Sequence, residues 1–302
     1  ILLLNFIERQ ALNKEQIGAL WMVSASVAYG FMPIWTVLGQ NSGLTTDFIL
    51  FFRFACTSAL LLALARFERV SILLPKRKIL EFVFLGGILY SIQSFAYLDS
   101  LKYIQTALSV MLYHIYPVIV TLVALVFFKE KIQSKTLLAL ALCTIGLVII
   151  LQIPKDITLN YLGVALSLIG ALFYGLYVIF SQSITRNCHF LVSSFYVCFF
   201  SSLAMLFSML KAHESIPNLF EIPPIGIFAL LALTILSTLF AMVAYYLGMP
   251  KIGITKTAIL GMIEPLVAVV LSIWILGDSL SALQYFGAFL IIFGSILLCL
   301  RR

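Results

Sequence analysis

The chain has 302 residues, 63% of them hydrophobic and only 10% charged, where a soluble domain carries roughly 25% charged residues. So little polar surface excludes a water-soluble globular protein, and lipid is the expected solvent for most of the molecule. The formal charge of +7 does not point to nucleic acid, because the 19 Lys and Arg residues fall almost entirely in short segments between apolar runs, as the positive-inside rule requires of a membrane protein.

In hydrocarbon every backbone N–H and C=O must pair internally, so only helices and closed barrels span a bilayer. A barrel would alternate polar and apolar residues. The apolar runs here are continuous and predict an all-α integral membrane fold. At about 20 apolar residues per crossing, the predicted spans are TM1 at 17–38, TM2 at 47–65, TM3 at 79–98, TM4 at 104–128 and TM5 at 134–151. TM6 follows at 160–182, TM7 at 189–210, TM8 at 225–247, TM9 at 255–276 and TM10 at 282–300. TM2 and TM9 each contain a charge.

Residues 1–16 precede the first span and are expected to form a cytoplasmic segment; the chain opens on Ile1 without Met, so its true start is open, and no cleavable signal is visible. On one side of the spans, the N-terminal segment, alternate loops and the C-terminus hold 15 Lys and Arg, while the other five loops hold 3. This bias puts both termini in the cytoplasm of a multi-pass protein of the cell (inner) membrane. Only Arg53 is left, inside TM2. The five cysteines (Cys56, Cys143, Cys188, Cys198 and Cys299) are scattered without metal-ligand spacing and read as packing residues.

The two halves match at fixed offsets. At 148 residues, Ala96-Tyr97 corresponds to Ala244-Tyr245, Ser109 to Thr257, Pro117 to Pro265, Glu130 to Asp278 and Gly146 to Gly294. At 145, Gly18 corresponds to Gly163 and Tyr29-Gly30 to Tyr174-Gly175. This organisation predicts ten transmembrane helices as two five-helix repeats, 17–151 and 160–300. An odd number of spans inverts the second repeat, an arrangement common in secondary transporters. Loop charge agrees: Lys129-Glu130-Lys131 falls on the cytoplasmic side, and its counterpart Gly277-Asp278-Ser279, on the outer side, keeps the acid without the lysines.

The pattern resembles the drug/metabolite transporter superfamily, and within it the EamA-type permeases. The resemblance rests on Ala28-Tyr29-Gly30, on Arg53, on Tyr116-Pro117 followed by Lys129-Glu130-Lys131 and Gly146, and on Glu264-Pro265 followed by Gly277-Asp278 and Gly294. It covers nearly the whole chain; Asp278 departs from the family's more usual Glu, and His114 matches no family motif. The resemblance implies two inverted five-helix repeats around a central cavity lined mainly by TM1, TM3, TM4, TM6, TM8 and TM9, with TM5 and TM10 peripheral. Its members carry amino acids, nucleotides, drugs and other small organics.

Glu264 is the leading candidate site residue. A charge at the centre of a membrane helix costs about 2.5–3.5 kcal/mol, so it is expected to face the bundle interior. There desolvation favours its protonated form, which makes it a candidate proton carrier or a partner for a cationic group; the alternative is a structural acid bonded across helices. Tyr116 occupies the equivalent position in the first half, and the two are expected to share one polar site. Tyr113 and Ser109 lie on the Tyr116 face of TM4, with His114 one position off it, where a packing histidine and a ligand or proton role stay open.

Pro33, Pro117 and Pro265 each remove a backbone bond, freeing the carbonyls of Tyr29, Tyr113 and Gly261; each is a candidate hinge or a plain packing kink. Polar faces on TM3 (Tyr90, Gln93, Ser94, Tyr97), TM6 (Tyr174, Tyr177, Ser181) and TM8 (Ser237, Thr238, Tyr245) are expected to line the cavity, with interhelical hydrogen bonding as the plainer reading. Tyrosine-rich walls suit an amphipathic organic solute. Arg53 is expected to anchor TM2 near the outer side by snorkelling, by pairing with Asp47 or by bracing a neighbouring helix, with substrate contact as the lesser alternative. Glu130 and Asp278 complement the starts of the helices that follow them.

The function expected is secondary transport, as an exporter of a small organic metabolite such as an amino acid or an amphipathic drug-like solute, by alternating access. The partners are then a small-molecule substrate, the lipid bilayer and, as a candidate coupling ion, the proton. No Walker motif occurs, so a gradient or downhill flow is the expected energy source. No cofactor, metal or nucleic acid is expected, and oligomeric state is left open. The alternatives are a flippase for a lipid or lipid-linked substrate and a membrane-embedded enzyme. The enzyme is disfavoured because no H-E-x-x-H or G-x-S-x-G is present and His114, His189 and His213 lie far apart.

Overall fold

A computed structural model describes residues 13–104, 106–126, 132–151, 160–214, 216–218, 221–276 and 282–299. All of its regular elements are helical: α1 (Lys14–Asn41), α2 (Thr46–Phe67), α3 (Lys76–Ser100), α4 (Thr106–Tyr113 and Tyr116–Val126) and α5 (Ser134–Leu151). There follow α6 (Tyr161–Ile184), α7 (Phe190–Lys211), α8 (Pro224–Ile252), α9 (Ile254–Gly261 and Ile263–Leu276) and α10 (Ala282–Cys299). Seven of these, α1 to α4 and α6 to α8, are long and apolar enough to cross a membrane on their own. The described parts of α5 and α10 are shorter apolar helices, and α9 is divided. Every predicted span falls on one of these elements. The motifs Lys129-Glu130-Lys131 and Gly277-Asp278-Ser279 lie outside the described residues.

Helix starts are set by local chemistry. Asn13 and Gln16 form a reciprocal capping box at α1, with bonds of 2.8 and 3.0 Å. Thr45 caps α2 through the Phe48 N–H, and Asn160 caps α6. These caps satisfy N–H groups that a helix leaves unpaired. Large apolar side chains such as Leu122, Phe207, Phe228 and Phe289 point outward, which is costly in water and neutral in lipid.

The packing repeats with the sequence. α1 lies along α8 as α6 lies along α3, while α2 pairs with α7, α4 with α9 and α5 with α10. A shift by five helices maps this set onto itself. Close approaches at glycines carry the relation to single residues. A Cβ on Gly18 would meet Lys251 and Ile252, and one on Gly163 would meet Tyr103 and Ile104, their counterparts at 148. A Cβ on Gly146 would come within 2.6 Å of the Gly287 carbonyl and 2.9 Å of Ile291. One on Gly294 would come within 3.0 Å of the Ala139 carbonyl and 2.8 Å of Cys143. Residue i touching j while j's counterpart touches i's is the mark of an isologous contact.

Two irregular segments are also repeat-related and carry no proline or other sequence warning. π-helical turns run over Val83–Tyr90 in α3 and Ile235–Phe240 in α8. Such turns displace carbonyls from the regular ladder. The Gly86 carbonyl is taken up by hydroxyls of Ser91 and, from α7, Ser201, both at 2.8 Å. The carbonyl of Thr234, 148 residues later, accepts from Thr57 of α2 at 3.3 Å.

Candidate functional site

The site begins with three helix interruptions. Pro33 has no N–H for the Tyr29 carbonyl, and α1 breaks at Phe31. Pro117 offers no N–H to the Tyr113 carbonyl, and α4 turns at His114 and Ile115. Pro265 offers none to the Gly261 carbonyl, and α9 turns at Met262, the repeat counterpart of His114. Between these breaks lies a small buried cavity. It is lined by Tyr29 and Met32 of α1, Arg53 of α2, Tyr90, Gln93, Ser94, Tyr97 and Leu98 of α3, Tyr113 of α4, Tyr174 of α6 and Glu264 of α9. The helices are closed around it: about 10 Å³ is open to water centres, room for about one water.

One wall is a stack of tyrosines. Tyr97 lies on Tyr113 with ring centroids 4.1 Å apart, Tyr113 on Tyr174 at 5.5 Å, Tyr174 on Tyr177 at 5.8 Å and Tyr177 on Tyr245 at 6.0 Å. All four pairs are close to parallel, so the stack gives one continuous aromatic surface from α3 through α4 and α6 to α8. A second wall is polar. The Tyr113 hydroxyl donates to Gln93 Oε1 at 2.9 Å, Gln93 Nε2 donates to Ser94 Oγ at 2.6 Å, and Arg53 Nη2 reaches the same oxygen at 3.4 Å.

Glu264 stands across from this chain, 6% exposed, with Oε1 unpartnered. His114 Nε2 is 3.9 Å from its Oε2. The other ring nitrogen, Nδ1, is 2.8 Å from the Val110 carbonyl. A carbonyl only accepts, so Nδ1 carries the hydrogen and Nε2 of the neutral ring is bare, fit to receive a proton from the carboxyl side.

Of the residues singled out by sequence, Glu264, Gln93, Tyr97 and Tyr113 line the cavity and His114 stands behind Glu264. Tyr116 of α4 reaches α9 before Glu264, donating to the Ala258 carbonyl at 3.2 Å and filling the space over Gly261. Tyr177 and Tyr245 belong to the stack and not to the cavity lining; their hydroxyls bond Tyr246 at 2.7 Å and Ser181 at 3.2 Å.

One expectation is corrected, that for Arg53. TM8 was expected among the lining helices; α8 reaches the vestibule described below through Pro250, and no α8 residue lines this small cavity: Ser237 donates to the Ala28 carbonyl and Thr238 to Leu233. The reason is compositional. The α8 counterparts of Gln93 and Ser94 are Ala241 and Met242, both fully buried in solid packing. Arg53, in turn, does not snorkel or pair with Asp47. It is 1% exposed, its Nη1 points at Met32 Sδ at 2.7 Å, and its guanidinium sits 4.4 Å from the Phe54 ring centre. Its spacing from Thr57, which is also buried, was the available signal: the two share one face of α2.

The ends of the molecule differ. Near the starts of α1 and α9 and the end of α6, a vestibule of about 800 Å³ is lined by Lys14, Ile179, Gln182, Arg186 and Ile254, among others. On the opposite end, described side chains bond one another across α1, α2 and α3. Gln40 donates to Thr46, Thr46 to Asp99 at 3.1 Å, and Lys102 pairs with Asp99 at 2.7 Å. Among the described residues no cluster of His, Cys, Asp and Glu has the makings of a metal site.

These features have counterparts in known proteins. An uncharacterized transporter of Archaeoglobus fulgidus is 24% identical over 200 residues, covering 66% of this chain and 69% of that protein. A solved crystal structure superposes with a TM-score of 0.78 over 93% of this chain and 97% of that one. At 15% identity that likeness speaks for the fold alone. The EamA-like transporter family matches twice, at residues 16–152 and 161–300. The chain is therefore a multi-pass membrane permease that belongs to the EamA-like transporter family.

Proposed function

We propose that the protein is a secondary exporter of a small organic metabolite, working by alternating access in the cell (inner) membrane. In this reading ten transmembrane helices form two inverted five-helix repeats, 17–151 and 160–300, with both termini cytoplasmic. The observation that carries it is the enclosure of a carboxyl group with one oxygen unpartnered, Glu264, and a polar wall in a cavity between helices whose packing is reciprocal. Inverted repeats have two equivalent ways to pack, and exchanging them exposes a midplane site first to one side and then to the other. The unlike ends fit one member of that exchange. In this reading the vestibule at Lys14 and Arg186 opens on the lysine-rich, cytoplasmic side, and the Gln40–Thr46–Asp99–Lys102 contacts tie helices together at the other. A solute then loads from the cytoplasm, and the breaks at Pro33, Pro117 and Pro265 serve as hinges.

Glu264 is the proton carrier in this scheme. The groups facing it are His114, which relays the proton, the hydroxyls of Tyr97 and Tyr113, and Arg53 across the cavity. Uptake of a small-metabolite panel into proteoliposomes, with and without a proton gradient, tests the reading. Glu264→Gln, which keeps the shape and loses the titrating group, is expected to cut gradient-driven accumulation at least about tenfold, or about 1.4 kcal/mol of coupling. Full gradient dependence in that variant removes Glu264 from the mechanism.

A further inference from the structure

Arg53 is a buried cation with no carboxylate in direct contact among the described residues. Its guanidinium has five N–H donors and stays charged at any physiological pH. Two of these donors are engaged, both by neutral atoms: the Met32 thioether and, at 3.4 Å, the Ser94 hydroxyl, which Gln93 already holds more tightly. Nε has no partner. Among the described residues no carboxylate comes within 4.0 Å of it, although Glu264 lines the same cavity. The Phe54 ring below the guanidinium plane eases the charge but takes up none of the N–H groups in that plane. Buried charges are retained when they are paired, by protein or by ligand. The Tyr97 hydroxyl and Glu264 Oε1, also buried and unpartnered, border the same space.

We infer that the transported solute carries a carboxylate, and that Arg53 binds it through paired N–H···O bonds. The inference rests on the transport reading and names the solute's chemical class. A carboxylate matches the guanidinium fork in geometry and in charge. Arg53 is the one Lys or Arg lining the cavity, so a single negative charge is neutralised, whereas a phosphate monoester would bring a second, uncompensated one next to Glu264. Ser94 and Gln93 hold the guanidinium in register with the cavity. The tyrosine stack takes the solute's apolar or aromatic body, and Tyr97 and Glu264 take a polar group at its far end.

The test uses the full chain in proteoliposomes and matched triplets of probes: a small amino or hydroxy carboxylic acid, its primary amide and its decarboxylated analogue. At least one acid is expected to be transported and to raise the melting temperature of the detergent-solubilised protein. Its amide and decarboxylated analogue should be at least tenfold poorer. Arg53→Gln is expected to bring the acid-to-amide ratio near one, and Arg53→Lys to keep part of the preference, since it keeps the charge and loses the fork. The acid–amide comparison is made on the unaltered chain, so it holds even where Arg53→Gln does not fold. Movement of amides, amines or phosphate esters without any acid overturns the inference and leaves the transport reading in place. Failure of every probe in a folded preparation overturns both.

Discussion

The two halves of this protein are built alike and equipped differently. Several glycine approaches, the overlapping π-helical turns and the helix pairings recur from one half to the other. Gly18 and Gly163, Gly146 and Gly294, and the carbonyls of Gly86 and Thr234 each do the same thing twice. The polar groups do not correspond. Glu264 stands opposite Tyr116, Gln93 and Ser94 opposite Ala241 and Met242, and the Pro33 break in α1 opposite an unbroken stretch of α6. Packing is thus set by the repeat and chemistry by departures from it, and the cavity is displaced toward the first half as a result.

That division can be tested where equivalent positions differ in room. A Cβ on Gly30 would come within 2.6 Å of Val267 and 2.8 Å of the Glu264 carbonyl, whereas one on Gly175 meets nothing nearer than 3.4 Å. Gly30→Ala is expected to cost roughly 1–3 kcal/mol through overpacking. Gly175→Ala should be neutral or slightly stabilising, because alanine favours a helix by about 1 kcal/mol over glycine. Thermal unfolding in detergent checks both, and equal effects would mean that the halves are packed more alike than their contacts indicate.

A smaller effect is expected where α9 receives Tyr116. A Cβ on Gly261 would overlap the Tyr116 hydroxyl, so Gly261→Ala should cost about 1–2 kcal/mol. Once Tyr116→Phe has removed that oxygen, the nearest ring carbon is 3.3 Å away, and the cost should fall by at least half. A double-mutant cycle measures this coupling, and strict additivity would show that the two residues do not meet. The smallest effect concerns the ion pair between Lys256 of α9 and Glu15 of α1, which has no counterpart in the other half. It is solvent-facing, so Lys256→Ala should change stability by less than about 0.5 kcal/mol. A larger loss would show that asymmetry matters at the surface as well as in the core.

Much of this was legible in the sequence. Apolar runs located the helical elements because hydrocarbon forces the backbone to pair with itself, and the three prolines located the breaks because a missing N–H has the same consequence everywhere. Glu264 and the tyrosines stood out as polar groups in an apolar context. Other features left weaker traces or none. The π-helical turns at Val83–Tyr90 and Ile235–Phe240 consist of ordinary helix residues, and their carbonyls are satisfied by hydroxyls on other helices, a long-range arrangement that local sequence does not encode. The favoured anchoring reading of Arg53 failed because hydropathy measures the cost of a buried charge and not its direction. The same spacing serves a side chain that reaches for headgroups and one that turns inward.

The crossing of α5 and α10 has one more consequence. The approaches of Gly146 to Ile291 and of Gly294 to Cys143 are each other's counterparts, so any rearrangement that swaps the conformations of the halves returns the same two approaches. In the proposed alternating-access cycle such a crossing would act as a fulcrum. Probes attached there are expected to stay silent through a transport cycle, while probes at the Tyr177–Tyr246 pair, whose counterparts are Met32 and Leu98, register the full stroke.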